Sequence, residues 1–160
     1  MTNSFDLLNR ELRFYIHEKG WPALTKIQNA SIKAFFSTEN NLILSAATAS
    51  GKTEAAFLPA ISKVKNWDKG VKVLYISPLI ALINDQFERI NDMCFDMNIP
   101  ITSWHGEANK AKKDNLIDSP RGILLITPES IEALLSGKPE VAKILFEDLE
   151  YIVVDEIHSF

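Results

Sequence analysis

Two short segments carry residue types that could do chemistry on a nucleotide. The first, residues 46–53, is a run of small residues that ends in Gly51, Lys52 and Thr53. The second, residues 153–158, contains the adjacent carboxylates Asp155 and Glu156. A loop of small residues can surround phosphate oxygens with backbone N–H groups, and carboxylates can hold Mg²⁺ and activate water. Together the two segments predict a site where a nucleoside triphosphate meets a magnesium ion.

The small-residue segment has the flanks that a phosphate-binding loop requires. Residues 41–45 are a short apolar run that predicts a buried strand, and a helical pattern begins at about Thr53. The helix N-terminus would add free N–H groups and the positive end of its dipole. Lys52 is predicted to bind the β- and γ-phosphates, and Thr53 to bind Mg²⁺. The other predicted nucleotide contacts are Ala47, Thr48, Ala49, Ser50 and Gly51.

The carboxylates follow a second predicted strand. Residues 151–154 are apolar and β-branched, which is typical of a central parallel strand. Open α/β sheets bind ligands at the carboxyl ends of their strands. We therefore predict that Asp155 holds Mg²⁺ and that Glu156 orients and deprotonates the attacking water. The alternatives are an exposed acidic turn here and a chance Gly-Lys-Thr in the loop, and the pairing of the two motifs disfavours both.

With these motifs the sequence resembles the first motor domain of superfamily 2 helicases of the Asp-Glu-x-His type, and most closely the large helicase-related group. Residues 24–28 resemble the Q motif, residues 77–86 motif Ia, and residues 127–130 motif Ib, in the family order. The loop departs from the family pattern at Ala49, where many members have glycine. The resemblance implies a RecA-like P-loop fold, ATP and Mg²⁺ as cofactors, ATP hydrolysis, and a nucleic-acid partner.

The resemblance also implies roles for individual residues. Gln28 would contact adenine, and His158 would couple the nucleotide site to a facing second domain, as one of the catalytic set with Lys52, Asp155 and Glu156. A nucleic-acid backbone could bind at helix N-termini that follow strands, without side-chain charge. The sequence places prolines in two such first turns, with Thr127 as an N-cap. The predicted nucleic-acid contacts are Pro78, Leu79, His105, Gly106, Thr127, Pro128 and Glu129.

Strand and helix patterns alternate along the chain. A helical segment reaches about Phe36, strands are predicted at 41–45, 72–76, 100–104, 122–126 and 151–154, and helices at 53–65, 79–95 and 129–136. This alternation predicts an α/β fold with a mostly parallel sheet covered by helices on both faces.

We expect residues 1–160 to be the N-terminal part of the first motor domain, with a helical Q-motif region over 1–40 and the core over 41–160. The family pattern implies that a strand with motif III and a second RecA-like domain follow in a longer chain. We therefore expect the isolated segment to hydrolyse ATP very slowly, because arginines of the second domain would be missing.

Composition sets further bounds. With 160 residues and 46% apolar residues, the chain can bury one core. The net charge of −4 argues against broad electrostatic binding of nucleic acid. A local basic edge and a solvated helix face are equal alternatives for Lys110, Lys112, Lys113 and Arg121.

The lone cysteine, Cys94, excludes an internal disulfide and is predicted to lie in the core. There is no zinc-ligand spacing, no signal-like N-terminus and no apolar run of transmembrane length. These features predict a cytoplasmic protein without a membrane partner.

Three functions compete. The first is an ATP-dependent helicase or translocase motor, and the second is a nucleic-acid-dependent ATPase switch that never unwinds, for example in a restriction or defence assembly. The third, a small-molecule kinase on a phosphate loop, is disfavoured by the Asp-Glu-x-His and Thr-Pro-Glu segments. The sequence does not decide between the first two functions. It also does not decide whether the nucleic acid is DNA or RNA.

Overall fold

The computed structural model describes residues 3–47 and 49–160. The chain forms two compact units, Met1–Lys65 and Asn66–Phe160. The division predicted at residue 40, between a helical Q-motif region and the core, stays a prediction.

The described part of the first unit is helical. Its helices are α1 (Ser4–Leu7), α2 (Arg10–Glu18), α3 (Lys26–Ser37) and α4 (Lys52–Lys63). Thr25 and Gln28 form a capping box at the start of α3, which satisfies backbone N–H groups that the helix itself leaves free. Helix α3 packs against α4. The fully buried apolar side chains of this unit are Leu12, Ile32, Ala55, Phe57, Leu58 and Ile61.

A proline inside α4 is compensated by a serine of α3. Pro59 has no N–H group, so the carbonyl of Ala55, one turn earlier, loses its donor within the helix. The buried Ser31 hydroxyl donates to this carbonyl at 2.5 Å. The bond ties the helix that carries Gln28 to the helix that follows the loop.

Replacing Ser31 by alanine should lower the free energy of unfolding by about 1–2 kcal/mol, because the Ala55 carbonyl would stay buried without a donor. In a Pro59→Ala background the backbone N–H returns, so the same substitution should cost much less. Urea denaturation of the four chains measures the cycle. Ser37→Ala, on an exposed serine of α3, is the matched control. Equal losses from Ser31→Ala in both backgrounds would contradict the explanation.

The strand predicted at 41–45 is wrong. These residues have no regular secondary structure, and the Ile43 side chain is 88% exposed. A strand needs a partner for its backbone N–H and C=O groups. None of the described strand pairings includes this run, so its apolar composition alone does not make it a strand.

The second unit contains a four-stranded sheet of β1 (Gly70–Ile76), β2 (Ile101–Trp104), β3 (Arg121–Ile126) and β4 (Tyr151–Val154). Their order is β2-β3-β1-β4, and every pairing is parallel, which confirms the predicted sheet. Because Ile76 pairs with both Ile126 and Val154, the carboxyl ends of the strands lie at one edge. The residues that follow the strands at this edge are Ser77, His105, Thr127 and Asp155.

The helices of this unit are α5 (Ile80–Cys94), α6 (Lys110–Asp118), α7 (Pro128–Gly137) and α8 (Pro139–Phe146). Helix α5 packs on β2 and β3, and α8 packs on β1. Cys94 is buried as a free thiol, as predicted. One core cluster joins the sheet to α6, α7 and α8 through Val71, Leu74, Trp104, Leu116, Leu124, Ile126, Leu134, Ala142 and Leu145.

A glycine permits the close approach of β2 and β3. Gly122 has a φ of +79°, and a Cβ atom there would lie 2.0 Å from the Pro100 carbonyl oxygen. That same oxygen accepts the Ile123 N–H at 3.0 Å. The position therefore requires glycine both for its backbone conformation and for space.

No helix in the part of the chain that the structure describes has the length and apolar character needed to cross a bilayer.

Candidate functional site

The phosphate-loop motif opens α4 without a side-chain cap. Gly51 is the N-cap residue, with φ 84° and ψ 32°, and it provides no side-chain cap hydrogen bond. The first N–H groups of a helix have no intrahelical partner and can bind an anion. Of the predicted contacts, Thr48 lies outside the described residues.

The side chains of the loop add further donors. The Lys52 ammonium donates to the carbonyl oxygens of Ala46 at 2.8 Å and of Ala47 at 3.4 Å. The Ser50 hydroxyl oxygen is buried and has no hydrogen-bond partner among the described residues. Free N–H groups, an ammonium and hydroxyls are the groups that bind phosphate oxygens, so the loop fits the triphosphate it was predicted to bind. Ala49 has φ 58°.

Gln28 holds the loop in place. Its Oε1 accepts the Thr25 N–H at 2.9 Å, and its Nε2 donates to the Gly51 carbonyl at 3.4 Å. The Thr25 hydroxyl donates to the Ser50 carbonyl at 3.1 Å. The Gln28 side chain is buried, and its adenine contact stays a prediction. An open hollow beside it is lined by Thr25, Lys26, Ile27, Ala30, Ser45, Ala46 and Ser50.

The Asp155 carboxylate is held from two directions. Asp155 directly follows β4, and its N–H donates to the Ile76 carbonyl at 2.9 Å. Its Oδ2 accepts the Tyr75 hydroxyl at 2.7 Å, and its Oδ1 accepts the Glu156 N–H at 2.9 Å. Burial, together with the hydrogen bond to Asp155 and its negative charge, raises the pKa of Tyr75 far above its ordinary value, so the hydroxyl stays protonated. Tyr75 was predicted only as part of the strand at 72–76, without a role in the site.

Glu156 has a strained backbone conformation next to this carboxylate. Its φ of 50° and ψ of 43° are left-handed, which a residue with a side chain rarely adopts. The turn brings the Glu156 N–H back to Asp155. The Glu156 side chain is partly exposed, and its Oε2 lies 3.2 Å from His158 Nε2. Glu156 can therefore reach solvent water, and His158 is an exposed partner of that carboxylate.

These residues fit a magnesium ion. Mg²⁺ prefers oxygen ligands and is usually bound by one or two carboxylates, with water and substrate phosphates completing its shell. The described residues contain no group of three or more His, Cys, Asp or Glu side chains that could hold a metal by itself. An oriented carboxylate such as Asp155 is therefore the kind of partial ligand set that Mg²⁺ accepts alongside a bound nucleotide.

The helix predicted after β1 begins later than expected. Pro78 was predicted to lie in its first turn, but α5 begins at Ile80 and the extended Leu79 is its N-cap. Leu79 is exposed and offers no side-chain cap. The extended conformation of Leu79 (φ −115°, ψ 122°) separates the proline from the helix.

The helix after β3 begins as predicted. The Thr127 hydroxyl accepts the Ser130 N–H at 3.4 Å, which confirms Thr127 as the N-cap, and Pro128 lies in the first turn. Glu129 follows it and is exposed.

His105 is buried at the carboxyl end of β2, and Gly106 beside it is exposed. Burial is the main reason that the pKa of His105 is lowered; Lys113 adds to this effect and Glu107 opposes it. The Lys113 ammonium donates to the His105 carbonyl at 2.6 Å and lies over the Trp104 ring at 5.6 Å. His105 is therefore a neutral, buried group in this structure.

The four basic residues do not form one edge. Lys110, Lys112 and Lys113 lie on α6, after β2. Arg121 begins β3, at the amino ends of the strands, whereas Thr127 and Asp155 follow the carboxyl ends. Of the two alternatives left open for these residues, a basic edge beside the predicted contacts does not include Arg121, because the length of β3 separates it from them.

Two features define the class of RecA-like P-loop NTPases. One is a parallel sheet with carboxylates at its carboxyl edge, and the other is a small-residue loop that opens a helix. The family model described as DEAD/DEAH box helicase matches residues 25–160. The chain belongs to this family, which confirms the resemblance to the first motor domain of superfamily 2 helicases.

Individual relatives agree with this assignment. The chain is 28% identical to the ATP-dependent helicase Lhr-Core of Methanocaldococcus jannaschii, over 97% of this chain and 20% of the relative. It is 32% identical to the Lhr-Core protein 2 of Thermococcus barophilus, over 74% of this chain and 16% of the relative. The chain thus spans about a fifth or less of the length of these relatives.

Solved structures show the same fold. The helicase Lhr of Mycobacterium smegmatis, bound to ssDNA and AMP-PNP, superposes with a TM-score of 0.81 at 26% identity. The match covers 99% of this chain and 21% of that one. The DEAD-box helicase Mss116, bound to ssRNA and UDP-BeF, has a TM-score of 0.84 at 22% identity and supports the fold alone.

Proposed function

We propose that this chain is part of the first motor domain of an ATP-dependent nucleic-acid helicase or translocase. The observation that carries the proposal is the Asp155 carboxylate, which two hydrogen bonds orient at the carboxyl edge of a parallel sheet. The same chain carries a phosphate-loop motif at an uncapped helix N-terminus. Membership in the DEAD/DEAH box helicase family supports the assignment.

The loop would bind the phosphates of ATP. Backbone N–H groups at the start of α4 would donate to phosphate oxygens, and Lys52 would exchange its bonds to the Ala46 and Ala47 carbonyls for bonds to phosphate. The hollow lined by Thr25, Ile27 and Ala46 lies beside the loop and would take the base.

The carboxylate turn would carry out the hydrolytic step. Asp155 and Thr53 would hold Mg²⁺, which offsets the negative charge of the phosphates when it is bound. Glu156 would accept a proton from the attacking water. His158, in contact with the Glu156 carboxylate, would help to orient it and would face the second motor domain.

Nucleic acid would bind along the carboxyl edge of the sheet. The N-terminus of α5, which has no side-chain cap, and the N-terminus of α7 follow neighbouring strands. Their N–H groups would contact backbone phosphates, with Pro78, Leu79, Pro128, Glu129 and the exposed Gly106 alongside. His105 would act from beneath this surface, as a buried support.

A calorimetric titration of the chain with Mg·ADP tests the nucleotide part of the proposal. A single binding site supports it, and the absence of binding overturns it. The activity of the whole protein needs a separate test, because the second motor domain would supply transition-state arginines worth roughly three to five orders of magnitude in rate.

The second candidate is a nucleic-acid-dependent ATPase switch that never unwinds. A strand-displacement assay with the full-length protein, on DNA and on RNA duplexes, separates the two functions. Displacement that requires ATP supports a helicase. Nucleic-acid-stimulated hydrolysis without displacement supports the switch.

A further inference from the structure

We propose that Tyr75 is a positioning residue for the divalent cation: its hydroxyl fixes the orientation in which Asp155 offers oxygen ligands to the metal. This inference rests on the proposed function, since it concerns the metal of the same site. It adds a residue of β1 that lies outside the family motifs named above.

The sheet register explains why this tyrosine reaches this aspartate. Tyr75 pairs with Val153 of the neighbouring strand β4. Asp155 lies two residues beyond Val153, and side chains two apart along an extended chain point to the same side. The Tyr75 ring is buried, with 1% of the residue exposed. The surrounding side chains therefore restrict the ring and aim its hydroxyl at Asp155 Oδ2.

The two hydrogen bonds on Asp155 act on different oxygens. An ionised carboxylate has about four lone-pair directions. Tyr75 occupies one on Oδ2, and the Glu156 N–H occupies one on Oδ1. Rotation of the carboxylate would break both bonds, so the remaining lone pairs keep fixed directions. Loss of an outer-shell partner of this kind typically lowers metal affinity by roughly 10–100-fold.

A purely structural role predicts a different outcome. Phenylalanine at position 75 would fill the same space in the core and would lose only the hydroxyl group. If Tyr75 served packing alone, Tyr75→Phe would leave the effect of Mg²⁺ on nucleotide binding unchanged. If Tyr75 positions Asp155, the same substitution should reduce the gain in nucleotide affinity from Mg²⁺ and leave the affinity without metal unchanged.

The experiment measures ADP affinity by calorimetry, once with Mg²⁺ and once with EDTA. The wild-type chain should bind ADP more tightly with the metal. Tyr75→Phe should keep the affinity measured in EDTA. Its gain in ADP affinity from Mg²⁺ should be about tenfold smaller than that of the wild-type chain. Tyr151→Phe is the matched control: it also removes a hydroxyl, from the opposite end of β4, where Tyr151 pairs with Val73. It should keep both affinities.

An Asp155→Ala background tests whether Tyr75 acts through Asp155. There Tyr75→Phe should produce no further loss of the Mg²⁺-dependent gain. Urea denaturation in the same buffers verifies that each variant is folded, and Mn²⁺ binding followed by electron paramagnetic resonance gives a readout of the metal itself.

Each outcome decides a different point. A wild-type chain without any gain from Mg²⁺ would overturn both the proposed function and this inference. A wild-type gain that Tyr75→Phe fully retains would overturn this inference alone. An equal loss with and without metal would assign Tyr75 a structural role and would also overturn it.

Discussion

Lys52→Ala should weaken the binding of Mg·ADP by about 100-fold or more, because a hydrogen bond from a charged group contributes about 1.5–3 kcal/mol and several phosphate oxygens lose this partner. Stability should change little. The Lys52 ammonium contacts only loop carbonyls among the described residues, and these bonds lie in a partly exposed loop. Calorimetry measures the affinity, and urea denaturation measures the free energy of unfolding.

Lys33→Ala is the control for charge. Lys33 is exposed on α3, and its loss changes the net charge by the same amount. It should leave ADP affinity at the wild-type value. An unchanged affinity in Lys52→Ala would refute the loop assignment, and an equal loss in Lys33→Ala would assign the effect to overall charge.

Gly122→Ala should lower the free energy of unfolding by about 2–5 kcal/mol. The left-handed conformation costs a residue with a Cβ roughly 1–2 kcal/mol, and overpacking adds roughly 1–3 kcal/mol. The clash falls on the Pro100 carbonyl oxygen, a backbone atom that cannot rotate away. Circular dichroism during urea denaturation measures the loss.

Gly137→Ala supplies the comparison, since no heavy atom lies within 4 Å of a Cβ built on that glycine at the end of α7. It should be neutral or stabilising by up to about 1 kcal/mol. Similar losses at the two glycines would show that contact with Pro100 is not the cause.

The sequence predicted the bounds of the strands closely, because each strand is a short apolar run. The central position predicted for 151–154 is wrong: β4 is an edge strand of the described sheet, with Ile152 and Val154 exposed. All four observed strands lie within two residues of their predicted bounds. The same criterion failed at 41–45, where the apolar run has no pairing partner among the described strands and Ile43 is exposed. Helix α8 was not among the predicted helices; Pro139 lies in its first turn, where a missing N–H group costs nothing.

The candidate site was predictable only where a motif is contiguous. Asp155 and Glu156 stand next to each other, and their place after β4 followed from the strand before them. Tyr75 is 80 residues away from Asp155, so its role required the register of β1 and β4. Gln28 was identified by its spacing, but its contacts with the loop depend on the packing of α3 against α4.

Ala49 gives the loop a particular thermodynamic character. At φ 58° its methyl group is strained by roughly 1–2 kcal/mol, a cost that glycine would avoid. The same methyl group removes many of the conformations that glycine would sample, so less disorder is lost when the loop closes on a ligand. The strain is already present before a ligand arrives, so it lowers the stability of the loop and leaves the affinity unchanged. The restricted freedom reduces the entropy cost of binding, so alanine at this position makes the loop preorganised rather than adaptable.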